Sequence, residues 1–189
     1  GADVFLGVSA PGVLKPEFVS TMAGEPLIMA LANPTPEIMP DEVRAVRDDA
    51  YIATGRTDFA NQVNNVLCFP FIFRGALDVG ATEINEAMKL ACVEAIANLA
   101  MVEASEAVAA AYGDEAMSFG PEYLIPKPFD PRLVGRIALA VAKAAMESGV
   151  ATRPVEDFAD YENELNRFMF KSGLVMTPVF SRAKQNAKR

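Results

Sequence analysis

ATGRTDFANQVNNVLCFPFIFRGALDVGA, residues 53–81, decides the reading of this chain. Three apolar runs precede it at regular spacing, and three long helical patterns follow it. Its first half is crowded with polar groups that have no core role: Thr54, Arg56, Thr57, Asp58, Asn61, Gln62, Asn64 and Asn65. At Val66-Leu67-Cys68-Phe69 it turns abruptly apolar. A polar, glycine-marked turn that closes on two asparagines and opens onto an apolar segment has the character of the mouth of a ligand cleft. If the pair begins a helix, unpaired backbone N–H groups and the helix dipole favour an anion or a carboxylate there. The alternative is that Asn64 or Asn65 serves only as an N-cap.

Upstream, DVFLGVS (3–9) is a continuous apolar run of the kind that forms a buried parallel strand. Pro11-Gly12 breaks it, and Pro16 suits the first position of a short helix that ends near Gly24. LIMALAN (27–33) repeats the pattern and stops at Asn33-Pro34-Thr35-Pro36. Pro40-Asp41-Glu42 opens a second short helix, and AYIAT (50–54) is a third, weaker strand. Strand, helix, strand, helix, strand predicts an α/β fold: half of a Rossmann-type doubly wound parallel sheet with right-handed crossovers. Ligands of such sheets lie beyond the carboxyl ends of the strands. Those ends are Gly7-Val8-Ser9, Ala32-Asn33-Pro34 and Thr54-Gly55-Arg56. The GxGxxG phosphate fingerprint is nowhere in the chain.

Downstream, Ile84, Met88, Ala91, Cys92, Ala95, Ile96 and Leu99 recur at helical spacing, with Lys89 and Glu94 off the stripe. That is a core-packing stripe rather than a cofactor box. Ala104–Tyr112 extends this segment or begins a new turn. Asp130-Pro131 starts the next helix, whose stripe is Leu133, Ile137, Val141, Ala144 and Ala145, with Gly149 at its C-terminal cap. A last helix is predicted over about 157–172, with Phe158, Tyr161, Leu165 and Phe168 on one face. The fold therefore continues as a helical C-terminal region, and the final residues end basic.

At 189 residues, one domain with an appended helical extension is expected. The net charge of −8 argues against nucleic acid as a partner. No apolar run is long enough to span a membrane and no signal peptide opens the chain, so a cytoplasmic protein is expected. Cys68 and Cys92 have no metal-ligand spacing and read as buried free thiols. Histidine is absent, which removes the commonest general base and zinc ligand.

LANPTPEI (31–38), the stretch 53–81 and YLIPKPFDPRLVGRIALAVAKAAMESGVATRP (123–154) closely resemble bacterial malic enzymes. The match is to the long type with a downstream phosphotransacetylase-like module, and it covers essentially the whole chain. The resemblance implies oxidative decarboxylation of L-malate to pyruvate and CO2, with NADP or NAD and a Mg or Mn ion. By the same resemblance Asn33 and Asn65, with Asn64 beside it, bind malate, and Asn33 and Asn65 also meet the nicotinamide end of the cofactor. A neutral amide bonds both a carboxylate oxygen and a hydroxyl without adding charge. The family's catalytic tyrosine and lysine, metal ligands and phosphate loop have no match here. No catalytic residue and no metal ligand is therefore assigned to this chain. Residues 1–118 are expected to be the C-terminal half of the NAD(P)-binding domain with its following helix. Residues 119–189 are expected to be a helical extension and linker. The partners implied are L-malate and the N-terminal portion of the malic enzyme module, in a homo-oligomer when complete.

Two other readings stand beside this one. The chain is a catalytically silent structural or assembly segment, or it belongs to a different Rossmann-type dehydrogenase acting on malate-like acids. A second chain carrying GxGxxG and an acidic metal cluster would favour the enzyme.

Overall fold

Each of the three apolar runs becomes a short parallel strand in the computed structural model, which describes residues 1–103 and 118–169. The strands are β1 (Val4–Gly7), β2 (Leu27–Ala30) and β3 (Tyr51–Thr54), paired in the order β1-β2-β3. Register is even: Val4, Leu27 and Tyr51 lie abreast, and Gly7, Ala30 and Thr54 close the carboxyl edge. The crossovers carry α1 (Pro16–Ser20) and α2 (Pro40–Arg44), each with proline in its first turn, where a missing N–H costs nothing. Glu42 at α2 reaches back to accept the Met39 N–H at 2.9 Å.

Alternation decides which face is buried. Ile28, Ala30 and Ile52 pack with Val19 of α1, Val43 of α2, Leu14 and Ile38. Each large aliphatic side chain buried there contributes about 1.5–3 kcal/mol. The opposite face differs from the expectation of a doubly buried first strand. Val4 and Leu6 are 54% and 61% exposed, and Val8 just beyond them is 78% exposed. β1 is one of the two edge strands of the described sheet, and α1 and α2 cover only the other face.

Of the described residues, those within Gly1–Leu67 and Ala97–Asp130 form one compact unit, and those within Cys68–Ile96 and Pro131–Arg189 form a second. In the second unit α3 (Phe69–Asp78) lies against α5 (Arg132–Glu147). Gly75 makes the approach close: a methyl there would fall 2.5 Å from the Ala138 carbonyl oxygen. The predicted α5 stripe is buried throughout, and Gly149 takes φ +75° just past the helix end. The helix begins at Arg132, so Pro131 is the N-cap rather than Asp130. Between them in sequence, α4 (Glu86–Ala100) buries Met88, Cys92 and Leu99 and exposes Lys89 and Glu94, as its spacing predicts. Residues 158–169 form α6, capped by Asp157, whose Oδ1 accepts the Ala159 and Asp160 N–H groups. Tyr161 and Leu165 are its buried face. The readings of 104–112, of the last helix beyond residue 169 and of the basic tail lie outside the described residues. No helix among the described residues is long and apolar enough to cross a membrane.

Candidate functional site

The carboxyl edge of the sheet is held by a carboxylate that sequence reasoning passed over. Glu37 is fully buried, 0% exposed, and its oxygens serve two loops. Oε1 accepts the Ser9 N–H at 2.7 Å and the Ser9 hydroxyl at 3.1 Å, after β1. Oε2 accepts the Ala32 N–H at 3.1 Å, after β2. Burial opposes the charge, but the N–H donors of Ser9 and Ala32 outweigh it and hold the carboxyl below its ordinary pKa. Gly7 makes room: a methyl there would lie 2.5 Å from Glu37 Cδ. The signal available in the sequence was an acid inside an apolar, proline-flanked motif, Pro36-Glu37-Ile38.

Asn33 follows directly after Ala32 and is exposed, with a cis peptide to Pro34. Its amide lies over Gly55 at the end of β3, where a methyl would approach it to 2.9 Å. The expected meeting of the β2 and β3 ends is thus a direct contact. Beyond β3 the chain doubles back, with the Val63 N–H on the Thr54 carbonyl at 2.8 Å. Asn61 anchors this return, a role that its place in a polar stretch of sequence does not announce. It is buried at φ 53°, a left-handed conformation that asparagine tolerates. Its amide donates to the Ile52 and Pro121 carbonyls at 2.9 and 2.7 Å and accepts the Leu124 N–H at 2.7 Å. Arg56 forms a two-pronged pair with Asp58 at 2.8 and 2.6 Å, which keeps that guanidinium occupied.

The two asparagines of the pair differ in burial and in contacts. Asn64 is half-buried, and its Oδ1 accepts the Val66 N–H at 3.0 Å. It caps a 3-10 turn, Asn65–Leu67, that is three residues long. Asn65 is exposed, and its side chain makes no hydrogen bond among the described residues. Asn64 therefore answers the capping reading, and Asn65 keeps its amide available. No hydrogen bond among the described residues links Asn33 to either of them.

Among the described residues no group of three or more His, Cys, Asp or Glu is placed to hold a metal ion. In the second unit the Cys68 and Cys92 sulfurs lie 3.3 Å apart as free thiols, Cys68 half-buried and Cys92 buried. Burial first, then the hydrogen bond to Cys68, pushes the Cys92 thiol up to about 12. Tyr161 donates to Asp78 at 2.8 Å, and Asp78 is also paired with Arg74. Burial and that bond push the phenol up, so it stays protonated at neutral pH.

A parallel sheet with helical crossovers and polar loops gathered at the strand ends defines half of a Rossmann-type dinucleotide-binding domain. Residues 1–112 match the malic enzyme NAD-binding domain, and the chain belongs to that family. It is 68% identical to an NAD-dependent malic enzyme of Rhizobium meliloti over 188 residues, covering 100% of this chain and 24% of that protein. It is 66% identical to an NADP-dependent malic enzyme of Escherichia coli over 189 residues, covering 100% of this chain and 25% of that protein. The crystal structure of a Pyrococcus horikoshii malic enzyme superposes with a TM-score of 0.77 at 36% identity, over 98% of this chain and 39% of that one. The chain thus spans about a quarter of the length of the curated relatives it matches.

Proposed function

We propose that this chain is the segment of a malic enzyme that supplies half of the NAD(P) site and part of the malate site. The whole enzyme converts L-malate and NAD(P)+ to pyruvate, CO2 and NAD(P)H. The observation that carries this reading is two-thirds identity, over the full chain, to proteins named as malic enzymes. Asn33, Asn64 and Asn65 are the candidate malate contacts, and Asn33 and Asn65 also face the nicotinamide end. The exposed amides of Asn33 and Asn65 suit both tasks, since they donate and accept without adding charge beside a dicarboxylate, and Asn64 keeps its NH2 group for malate while its oxygen caps the turn. NAD(P) supplies the hydride acceptor. The residues described here do not fit Mg or Mn, whose ligands belong to the N-terminal portion of the enzyme. We assign residues 1–118 to the dinucleotide-binding half and 119–189 to its helical extension, in a cytoplasmic homo-oligomer.

The test is malate-dependent reduction of NAD and NADP by the complete enzyme with Mg or Mn, alongside the isolated chain. Pyruvate from the complete enzyme and none from the isolated chain is the expected result. Turnover by the isolated chain would refute the division of labour. A complete enzyme inactive on malate would favour the second reading, a catalytically silent assembly segment. What recommends that reading for the isolated chain is that no group of three or more His, Cys, Asp or Glu among the described residues is placed to hold a metal ion.

A further inference from the structure

Glu37 is a carboxylate buried to 0% exposure, and no Lys or Arg forms a salt bridge with it among the described residues. A buried charge without a counter-ion is costly unless hydrogen bonds hold it. Here they come from two loops at once. Oε1 takes both donors of Ser9, and Oε2 takes the N–H of Ala32, the residue immediately before Asn33. The main chain of Glu37 adds a further tie, its carbonyl accepting the Leu14 N–H at 3.2 Å. Gly7 lacks the Cβ that would collide with the carboxyl. An apolar side chain of the same size would fill the space but leave the Ser9 and Ala32 N–H groups without their acceptor.

We infer that Glu37 is a positioning residue for Asn33: its buried carboxylate, shared between Ser9 and Ala32, sets the loop that presents the Asn33 amide beside Gly55 at the strand ends. The inference rests on the proposed reading of Asn33 as a contact to malate and the nicotinamide. Its chemical basis is that a carboxylate accepts on both oxygens. Glutamine has the same shape but accepts on one only. With its oxygen kept on the two Ser9 donors, its NH2 group would face the Ala32 N–H, donor against donor. The loop bearing Asn33 would be the one released.

The experiment is a double-mutant cycle in the complete enzyme: Glu37→Gln, Asn33→Ala and both together, with kcat, malate KM and thermal melts for each. Glu37→Gln is expected to lower kcat/KM about tenfold, in whichever of kcat and KM the Asn33→Ala change affects. The double variant is expected to fall within about twofold of Asn33→Ala alone, because both changes remove one interaction. Additive losses would overturn the inference and leave the Asn33 reading standing, as would unaltered kinetics in Glu37→Gln beside an impaired Asn33→Ala. Unaltered kinetics in Asn33→Ala would instead overturn the reading of Asn33, and this inference with it. Should Glu37→Gln fail to fold, Glu37→Asp keeps the charge and shortens the reach. The same cycle then applies, and additive losses there overturn the inference.

Discussion

At the scale of single residues, neighbours in sequence differ in what they bond. Asn64 spends its amide oxygen on the Val66 N–H, while Asn65 is exposed. Asn64→Ala is therefore expected to cost about 1 kcal/mol of stability through the lost cap. Asn65→Ala is expected to leave the melt unchanged and to lower kcat/KM for malate in the complete enzyme by about ten- to a hundredfold. Asn65→Asp should also fold normally, yet weaken malate strongly by setting a negative charge against a dicarboxylate. An Asp variant with wild-type malate KM would remove Asn65 from the site. The cysteines differ in the same way. Thiolate is the reactive form, and the Cys92 thiol is pushed up to about 12 by burial and its neighbour. Alkylation of the folded chain at about pH 8 is expected to mark Cys68 and spare Cys92 until denaturant is added, as peptide mass mapping would show. Early labelling of Cys92 would mean that its sulfur is not shielded.

At the scale of elements, close helix packing decides which glycines tolerate change. At Gly75 in α3 a methyl would meet the backbone oxygen of Ala138 at 2.5 Å and Val141 Cβ at 2.9 Å. Backbone cannot swing aside, so Gly75→Ala must push α3 and α5 apart, at a cost of about 1–3 kcal/mol. At Gly135 in α5 the nearest atom is Asn166 Oδ1 at 3.1 Å, the far end of a side chain that can rotate. Gly135→Ala gains helix propensity and should be neutral or stabilising by up to about 1 kcal/mol. Chemical denaturation of the two variants checks the contrast, and equal midpoints would contradict the packing described here. The stripes of α4 and α5 were legible from sequence because burial of a helix face repeats every three to four residues. The partner that forces a glycine at position 75 was not, because Ala138 and Val141 lie more than sixty residues away.

For the whole molecule, the described sheet leaves one apolar face open beside β1. Parallel sheets are stable when both faces and edges are covered. In this chain Val4, Leu6 and Val8 are exposed on and beside β1. The isolated chain is expected to self-associate, and Leu6→Lys, which places a charge on that face, is expected to reduce association. Sedimentation at rising concentration tests both. A monomeric wild-type chain with a sharp cooperative melt would show that the open face is no liability.

Local pattern in the sequence was enough to determine three strands, their parallel crossovers, the buried stripes of α4 and α5 and the gathering of polar loops at one edge. Apolar period, proline and glycine placement act over a few residues, so they can be read without knowing what lies across the fold. Only the tertiary structure decided that Glu37 joins the ends of two strands, that Asn61 fastens the 121–124 segment, and that Asn33 lies over Gly55. Only it separated a capping Asn64 from an available Asn65. Those outcomes depend on which hydrogen-bond donors remain unpaired once the strands are in register. A chain must close on itself before a buried carboxylate or amide finds its partners.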